Sequence, residues 1–490
     1  MNTAKLQEKS PIFDTLLNHA KRRVTSFHCP GHKNGRSIDK RLKAFTGRNV
    51  YYFDVTVFPE VDSLHDPTGC IKKSEELMAK AYGVQHSIFL VNGSTVGNIA
   101  MFLSACNPGD SVILSRNCHK SALAGIILAG IWPIWIQPKV DQNLDIIFDS
   151  SAKQIEDALE QFPETKAVFI TSPTYNGITP DLIKIAQICH TKGKILLVDE
   201  AHGAHLKFHE DFPISAVEAG ADLCVQSTHK ILSALSQGSV LHFNSELLDI
   251  NHVRRIVSML QTTSPNYFIL SSLDLARKQV FERGEKIFSK TIRLAEDARK
   301  RINRLRNFFC FTRKEIQARG YDLDVTKLTV NVTKTGLTGY KIEDILADSK
   351  EKYNIQVDCA DLFNLIAIMG IGTDKNDVSK LVNALEDIDT KYHGDEKNWV
   401  LDLPPLATEM VMMPRDVFFS AKSKRAPITK AVGHISAQSL TPYPPGIPVL
   451  LPGERITKET CEYLMNLSAK EIRISGQETD SLRTIKVVTT

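Results

Sequence analysis

The sequence predicts an α/β protein whose largest domain carries a mostly parallel seven-stranded sheet. Two observations lead there. Apolar runs recur between residues 87 and 243: SIFLV (87–91), SVILS (111–115), WPIWI (132–136), AVFITS (167–172), KILLVDE (194–200), DLCVQS (222–227) and SVLHF (239–243). Strands buried on both faces read as continuous apolar runs of this kind. Helix-like segments lie between the runs, such as DLIKIAQICHTKG (181–193), which closes on a glycine C-cap signal. Strands alternating with helices place helices on both faces of a parallel sheet.

The rest of the chain follows in order. Residues 1–50 read as an N-terminal arm, because Pro30, Gly31 and Gly35 break regularity and no strand–helix alternation is present. The large domain runs over 51–310. Within it ALAGIILAGIWPIWI (122–136) is the longest apolar stretch; it is too short to cross a bilayer and Pro133 interrupts it, so a buried helix followed by a buried strand is expected. A long helical region rich in Lys, Arg and Glu covers 270–306. LTVNVTKTG (328–336) and NLIAIMGIG (364–372) bracket the helix-like YKIEDILADSKEKY (340–353), which gives a smaller α/β domain over 311–395. From 396 to 490 the chain is Pro-rich and irregular, with LPPLATEMVMMPRDVFF and TPYPPGIPVLLPGE, and forms a C-terminal domain.

Composition narrows the function. The net charge is only +4 and the cations are spread along the chain, so no basic block argues for nucleic acid or an anionic membrane. The opening MNTAKLQEKSPIF lacks the apolar core of a secretory signal. The 9 cysteines are odd in number, widely spaced and without a C-x-x-C, which fits reduced thiols in the cytoplasm.

Four features fall at the carboxyl ends of expected strands, where open α/β sheets bind ligands. In LVNGSTVGNIA (90–100) a strand ends at Asn92-Gly93, and Ser94 and Thr95 open a helix. Helix amides, a glycine and two hydroxyls cradle an anion, and a plain N-cap explains the same residues. In VDEAHGAH (198–205) the carboxylate of Asp199 ends an apolar strand, where it needs a cationic or hydrogen-bonding partner. A metal held by Asp199, His202 and His205 fits that spacing, but no tight ligand pair lies elsewhere. Lys230 follows Ser227 and His229 at a strand end, a place where a lysine serves as nucleophile or Schiff-base amine. His119, in SRNCHKS (115–121), can stack on a planar ring.

Together these parts describe a site for an aromatic cation that carries a phosphate, pyridoxal 5′-phosphate. Lys230 forms the Schiff base and Asp199 keeps the pyridine nitrogen protonated. Ser94, Thr95, Ser227 and His229 hold the phosphate. His119 covers one ring face, Ala201 lets the ring lie flat on the other, and His202 joins the cofactor-binding set. The stretch from Asp199 to Lys230 suits one helix and one further strand. Ser227-x-x-Lys230, with Ser264-Pro265-Asn266 and Lys334-Thr335-Gly336, also matches the pattern of a serine acylase. That reading leaves Asp199 and the 92–95 cradle unexplained, and it places its serine after a strand where a helix is required.

FHCPGHKNG (27–35), DSLHDPTG (62–69), VNGSTVGN (91–98), RNCHKS (116–121), SPTYNG (172–177), VDEAHGAH (198–205), STHK (227–230), TTSPNY (262–267), TPYPPGIP (441–448) and LPGE (451–454) occur in one order. With them the chain resembles the ornithine/lysine/arginine decarboxylases, group III pyridoxal-phosphate enzymes of the aspartate-aminotransferase fold, fold type I. The resemblance implies decarboxylation of a basic L-amino acid, with a cytoplasmic homodimer, or a higher even-numbered homo-oligomer, as the working form. It also implies that the arm serves a neighbouring subunit and that the SLHDP segment approaches the site across the dimer interface. Thr262 reaches the partner's cofactor phosphate or substrate, and Glu454 or Asp62 meets the substrate's distal cation. Lys230 or His229 supplies the proton to Cα, and His119 orients the carboxylate.

The short form, starting at the arm without the receiver-like wing domain of larger members, resembles biosynthetic arginine decarboxylases that make agmatine for polyamine synthesis. Lysine giving cadaverine and ornithine giving putrescine come next. An aminotransferase on the same fold needs an arginine for the α-carboxylate, for which Arg313 and Arg319 stand in the small domain. Glu60 departs from the family pattern, where a glycine is expected.

Overall fold

Each apolar run between 87 and 243 becomes a strand. In chain order these are β1 (His86–Leu90), β2 (Ser111–Ser115), β3 (Trp132–Ile136), β4 (Ala167–Thr171), β5 (Ile195–Asp199), β6 (Leu223–Gln226) and β7 (Ser239–Phe243). In the computed structural model, which describes residues 3–348, 353–394, 409–443, 446–469, 473–477 and 482–489, they form one sheet in the order β1-β7-β6-β5-β4-β2-β3. β2 runs parallel to both β3 and β4. β7 is antiparallel to both β1 and β6. The reason for that reversal is local. The segment joining β6 to β7 contains only the four-residue helix Thr228–Ile231 and a loop, so the chain turns back instead of crossing over.

The chain divides into two compact units. The first comprises Met1–Ser104, Val198–Thr291 and Gly370–Gly372; the second comprises Ala105–Leu197, Ile292–Met369 and Thr373–Thr490.

In the first unit the amino-terminal segment is more regular than its sequence suggests. A helix runs over Pro11–Lys21, with its proline in the first turn, where no intrahelical N–H is needed. It is tied to the 36-residue helix Tyr267–Ile302 by buried groups. Asp274 accepts the N–H of Ile12, and Arg277 donates to the carbonyls of Gln7 and Lys9. Glu60 bonds His19 at 2.7 Å and Arg22 at 2.6 Å, so the departure at this position braces the same helix.

The second unit contains a four-stranded antiparallel sheet. Its strands are β8 (Phe309–Cys310), β9 (Lys327–Asn331), β10 (Cys359–Ala360) and β11 (Asn364–Ile368), in the order β8-β9-β11-β10. Helices Gly339–Ala347 and Lys375–Lys391 pack their Ile342, Leu346, Val382 and Leu385 on Leu328, Val330 and Leu365 of that sheet. The carboxyl-terminal segment is not irregular throughout. Ser423–Pro427 pairs antiparallel with Thr484–Val488, and the helix Lys458–Ala469 buries Leu464 among Leu440, Leu450, Ile485 and Val487. Among the described residues no helix is long and apolar enough to cross a membrane.

Candidate active site

The first unit gathers most of the expected site. The helix Gly93–Ala105 opens at the end of β1, and Gly93 sits at φ +74° with open space where a side chain would project. The hydroxyls of Ser94 and Ser227 are 2.8 Å apart, and that of Ser94 also donates to Ser239 at 3.3 Å. Ser94 is buried and Thr95 exposed. The helix lies hard against β6, because a Cβ on Gly97 would fall 2.3 Å from Cγ2 of Val225. This close approach brings Asn98 to Asp199.

Asp199 ends β5 and is 3% exposed. Its Oδ2 accepts from Asn98 Nδ2 at 2.7 Å and its Oδ1 from the Ala201 N–H at 3.1 Å. Both oxygens of this buried carboxylate therefore have a hydrogen-bond donor. Lys230 lies in the short helix after β6, half-buried, with Nζ 2.9 Å from Nε2 of His202. His229 Nδ1 stands 2.9 Å from the carbonyl oxygen of Gly238. That oxygen only accepts, so the proton resides on Nδ1 and Nε2 carries the lone pair. Burial lowers the pKa of His229, and the Lys230 charge adds to this, while the Gly238 carbonyl opposes it. The loop before β7 braces both halves of the site: Gln237 accepts the N–H of Gly93, and Gly238 accepts the N–H of His229.

Beneath Asp199 runs a buried polar chain that the motif analysis did not assign. Glu200 accepts from the Ala216 N–H at 2.6 Å, Gln226 Nε2 at 2.7 Å and Cys224 Sγ at 3.3 Å. Gln226 Oε1 then accepts from His242 Nε2, and His242 Nδ1 meets the Ser87 hydroxyl. Burial raises Glu200 to about 7 and depresses His242 to about 3.

Thr262 is exposed in the loop after the helix Ile250–Leu260; its Oγ1 accepts the Ser264 N–H, and its carbonyl oxygen accepts from His65 Nε2. Asp62 differs from the sequence expectation. Its oxygens accept the N–H groups of Ser63, Thr68, Gly69 and Ile71 at 2.7–2.9 Å. Burial pushes its pKa up, but those backbone donors pull it further down, to a net lowering. This carboxylate organises its own loop and leaves no acceptor oriented for a substrate cation.

The second unit carries His119 and Glu454. His119 caps the helix Lys120–Ala129, and its Nδ1 meets the N–H and hydroxyl of Ser121 at 3.2 and 2.7 Å. Glu454 is also a correction: it is fully buried and chelated by Arg116, with both oxygens engaged at 2.6 and 2.8 Å. The two arginines considered for an α-carboxylate are likewise occupied. Arg313 forms a two-pronged pair with Asp322 at 2.6 Å on each prong, and Arg319 pairs with Asp141. Asn98, Gly97, Gly238 and Glu200 were not singled out from the sequence, although Asn98 and Gly97 stand inside the motif VNGSTVGN.

The donor set of the first unit fits pyridoxal phosphate. Open space over Gly93 at a helix amino terminus, beside two hydroxyls, suits a phosphate. A buried carboxylate suits a protonated ring nitrogen, and a half-buried lysine suits the carbonyl carbon.

Residues 10–377 match the family described as Orn/Lys/Arg decarboxylase, major domain, and residues 403–481 match the Orn/Lys/Arg decarboxylase C-terminal domain. The arginine decarboxylase of Halalkalibacterium halodurans is 37% identical over 485 residues, covering 98% of each chain. The arginine decarboxylase of Bacillus subtilis is 36% identical over 489 residues, again covering 98% of each. Lysine decarboxylase A from Pseudomonas aeruginosa has the same fold, with a TM-score of 0.84 over 99% of this chain and 81% of that one at 24% identity. The fold is that of the fold-type-I enzymes. The chain belongs to the Orn/Lys/Arg decarboxylase family of pyridoxal-phosphate-dependent enzymes.

Proposed function

We propose that the protein decarboxylates L-arginine to agmatine and carbon dioxide, and so feeds polyamine synthesis. The reaction class rests on the first-unit constellation of Lys230, Asp199 and the Ser94–Ser227 cradle. The choice of arginine rests on the end-to-end correspondence with arginine decarboxylases, which leaves almost no residue of either chain unmatched.

Bound pyridoxal phosphate supplies an electron sink for the bond to the carboxylate. The roles of the chain's own residues follow from their partners. The helix amides of Ser94 and Thr95, with the hydroxyls of Ser94 and Ser227, hold the phosphate. Asp199, held by Asn98 and the Ala201 N–H, keeps a proton on the ring nitrogen. Lys230 binds the cofactor between turnovers, and His202 receives its ammonium hydrogen bond when the lysine is free. His119, locked by Ser121, covers the ring and excludes water from the departing carboxylate. Lys230, and not His229 with its lone pair on Nε2, returns a proton to Cα. Asp62 and Glu454 serve the fold in this scheme and not the guanidinium.

Four functional segments accompany this reading: an arm (1–50), the cofactor domain (51–310), the small domain (311–395) and the C-terminal domain (396–490). A cytoplasmic homodimer, or a larger even-numbered assembly, is the working unit. The exposed Thr262 then meets the phosphate of a neighbouring subunit.

Purified protein with pyridoxal phosphate and equimolar arginine, lysine and ornithine tests the proposal, with the amines identified by mass spectrometry. Agmatine as the main product is expected. Cadaverine or putrescine in its place refutes the choice of arginine, and the absence of any amine refutes decarboxylation.

A further inference from the structure

Arg116 directly follows β2 and precedes His119 by three residues. Its side chain is 1% exposed, and every guanidinium nitrogen is engaged. Nε donates to the Pro448 carbonyl at 2.8 Å, Nη1 to Glu454 Oε1 at 2.6 Å, and Nη2 to Glu454 Oε2 at 2.8 Å and to the Val449 carbonyl at 3.2 Å. The Arg116 N–H donates to Ile136, at the end of the neighbouring strand β3, and the guanidinium lies 5.8 Å from the ring of Trp135. Only a planar fork meets a carboxylate and two carbonyls in this way; a lysine in its place abandons most of these bonds.

The acid is held as rigidly as the base. Glu454 Oε2 also accepts the Leu451 N–H at 2.8 Å. Gly453 beside it sits at φ +94°, where a Cβ would fall 2.1 Å from the Met412 carbonyl oxygen. Its own carbonyl accepts the N–H groups of Val411 and Met412.

A buried ion pair adds little net stability against an apolar replacement of the same shape, so its value lies in the geometry it imposes. That geometry reaches His119. Ser115 Oγ donates to Asn117, the Cys118 N–H donates to the Ser115 carbonyl, and His119 is clamped to Ser121. The stretch from Arg116 to His119 is therefore one short, internally bonded turn in which the arginine is deeply buried.

We propose that Arg116 and Glu454 are positioning residues for the decarboxylation, through which the C-terminal segment fixes the turn that presents the His119 imidazole. This rests on the role given to His119 above. A displacement of such a turn by about 1 Å is enough to cost on the order of 100-fold in rate.

The test is a double-mutant cycle on the holoenzyme. Arg116→Lys keeps the charge and loses the fork; Glu454→Gln keeps the shape and loses the charge. Each is expected to lower kcat for arginine about 10- to 100-fold with KM changed by less than about threefold. In a His119→Ala background, measured by single turnover, adding Arg116→Lys should lower the rate no further, because the group being positioned is gone. Losses that multiply in the double variant overturn the proposal, as does an unchanged kcat in both single variants. If Arg116→Lys fails the melting control, the Glu454→Gln/His119→Ala cycle decides in its place. A wild-type protein that releases no carbon dioxide from any basic amino acid marks failure of the decarboxylase reading itself, a result visible before any variant is made.

Discussion

Asn98 Nδ2 donates to Asp199 Oδ2 across 2.7 Å, joining the helix that follows β1 to the end of β5. The amide donates to one of the two oxygens of this buried carboxylate. Asn98→Ala removes the donor; Asn98→Asp replaces it with a second carboxylate facing the first. Outer partners of this kind are worth roughly 10- to 100-fold in activity. Both variants should lower kcat for arginine by that order, and Asn98→Asp, which sets two carboxylates against each other, should be the worse. Steady-state kinetics between pH 6 and 9 check this. A variant with wild-type kcat across that range removes Asn98 from the account.

Lys230 and Asp199 divide their work differently. With Nζ 2.9 Å from His202, Lys230 is expected to be indispensable for covalent attachment of the cofactor. Lys230→Ala should abolish turnover and the visible absorbance of the lysine-bound cofactor, while the far-ultraviolet circular dichroism stays that of the wild type. Asp199→Ala should retain a larger share of bound cofactor than of activity, because the task proposed for it is electronic. Equal losses of cofactor and turnover in Asp199→Ala make that residue a structural one.

Glu200 predicts a pH dependence of stability. Burial lifts it from 4.5 to about 7 against the donors Gln226, Ala216 and Cys224. The folded state thus holds this proton more tightly than the unfolded chain. Its contribution is complete below about pH 4.5 and is lost as pH rises through about 7, with a slope of at most about 1.4 kcal/mol per pH unit. Glu200→Gln cannot titrate. The difference in urea midpoint between wild type and variant should therefore shift against the wild type between pH 5 and 7. Parallel curves for the two proteins over that window show that Glu200 does not titrate there.

The strands and the chemistry were legible in the sequence to different depths. Buried strands declare themselves because both faces are apolar, so all seven runs of the main sheet could be read from residues 87–243. The reversal of β7 could not, since direction depends on whether a crossover fits between strands, and the apolar run SVLHF is compatible with either direction. The pair formed by Ser423–Pro427 and Thr484–Val488 escaped because the first strand is solvent-facing at four of its five positions and its partner lies far along the chain. Lys230 and Asp199 stand out in the sequence through local context, a charged group at the end of an apolar run. Glu454 was misread for the complementary reason: its burial and its partner Arg116 lie 338 residues apart, and a lone acid after Leu-Pro-Gly looks the same whether it faces a substrate or a guanidinium.

Gly97 tests how closely the phosphate-binding helix must approach the sheet. A Cβ there meets Cγ2 of Val225 at 2.3 Å and Cδ1 of Leu90 at 3.0 Å, and the branched valine has little rotamer freedom with which to yield. The helix must then lift from β6. Overpacking of this kind costs about 1–3 kcal/mol, and the lift also draws Asn98 away from Asp199. Gly97→Ala should melt several degrees lower than wild type and lose kcat in the same direction as Asn98→Ala. Val225→Ala shortens the obstructing side chain, so the double variant Gly97→Ala/Val225→Ala should recover part of both losses even though Val225→Ala alone is destabilising. Melting curves and kcat for the four proteins decide it. A Gly97→Ala protein with unaltered melting, or a double variant worse than the sum of its parts, shows that the contact with β6 does not set the helix position.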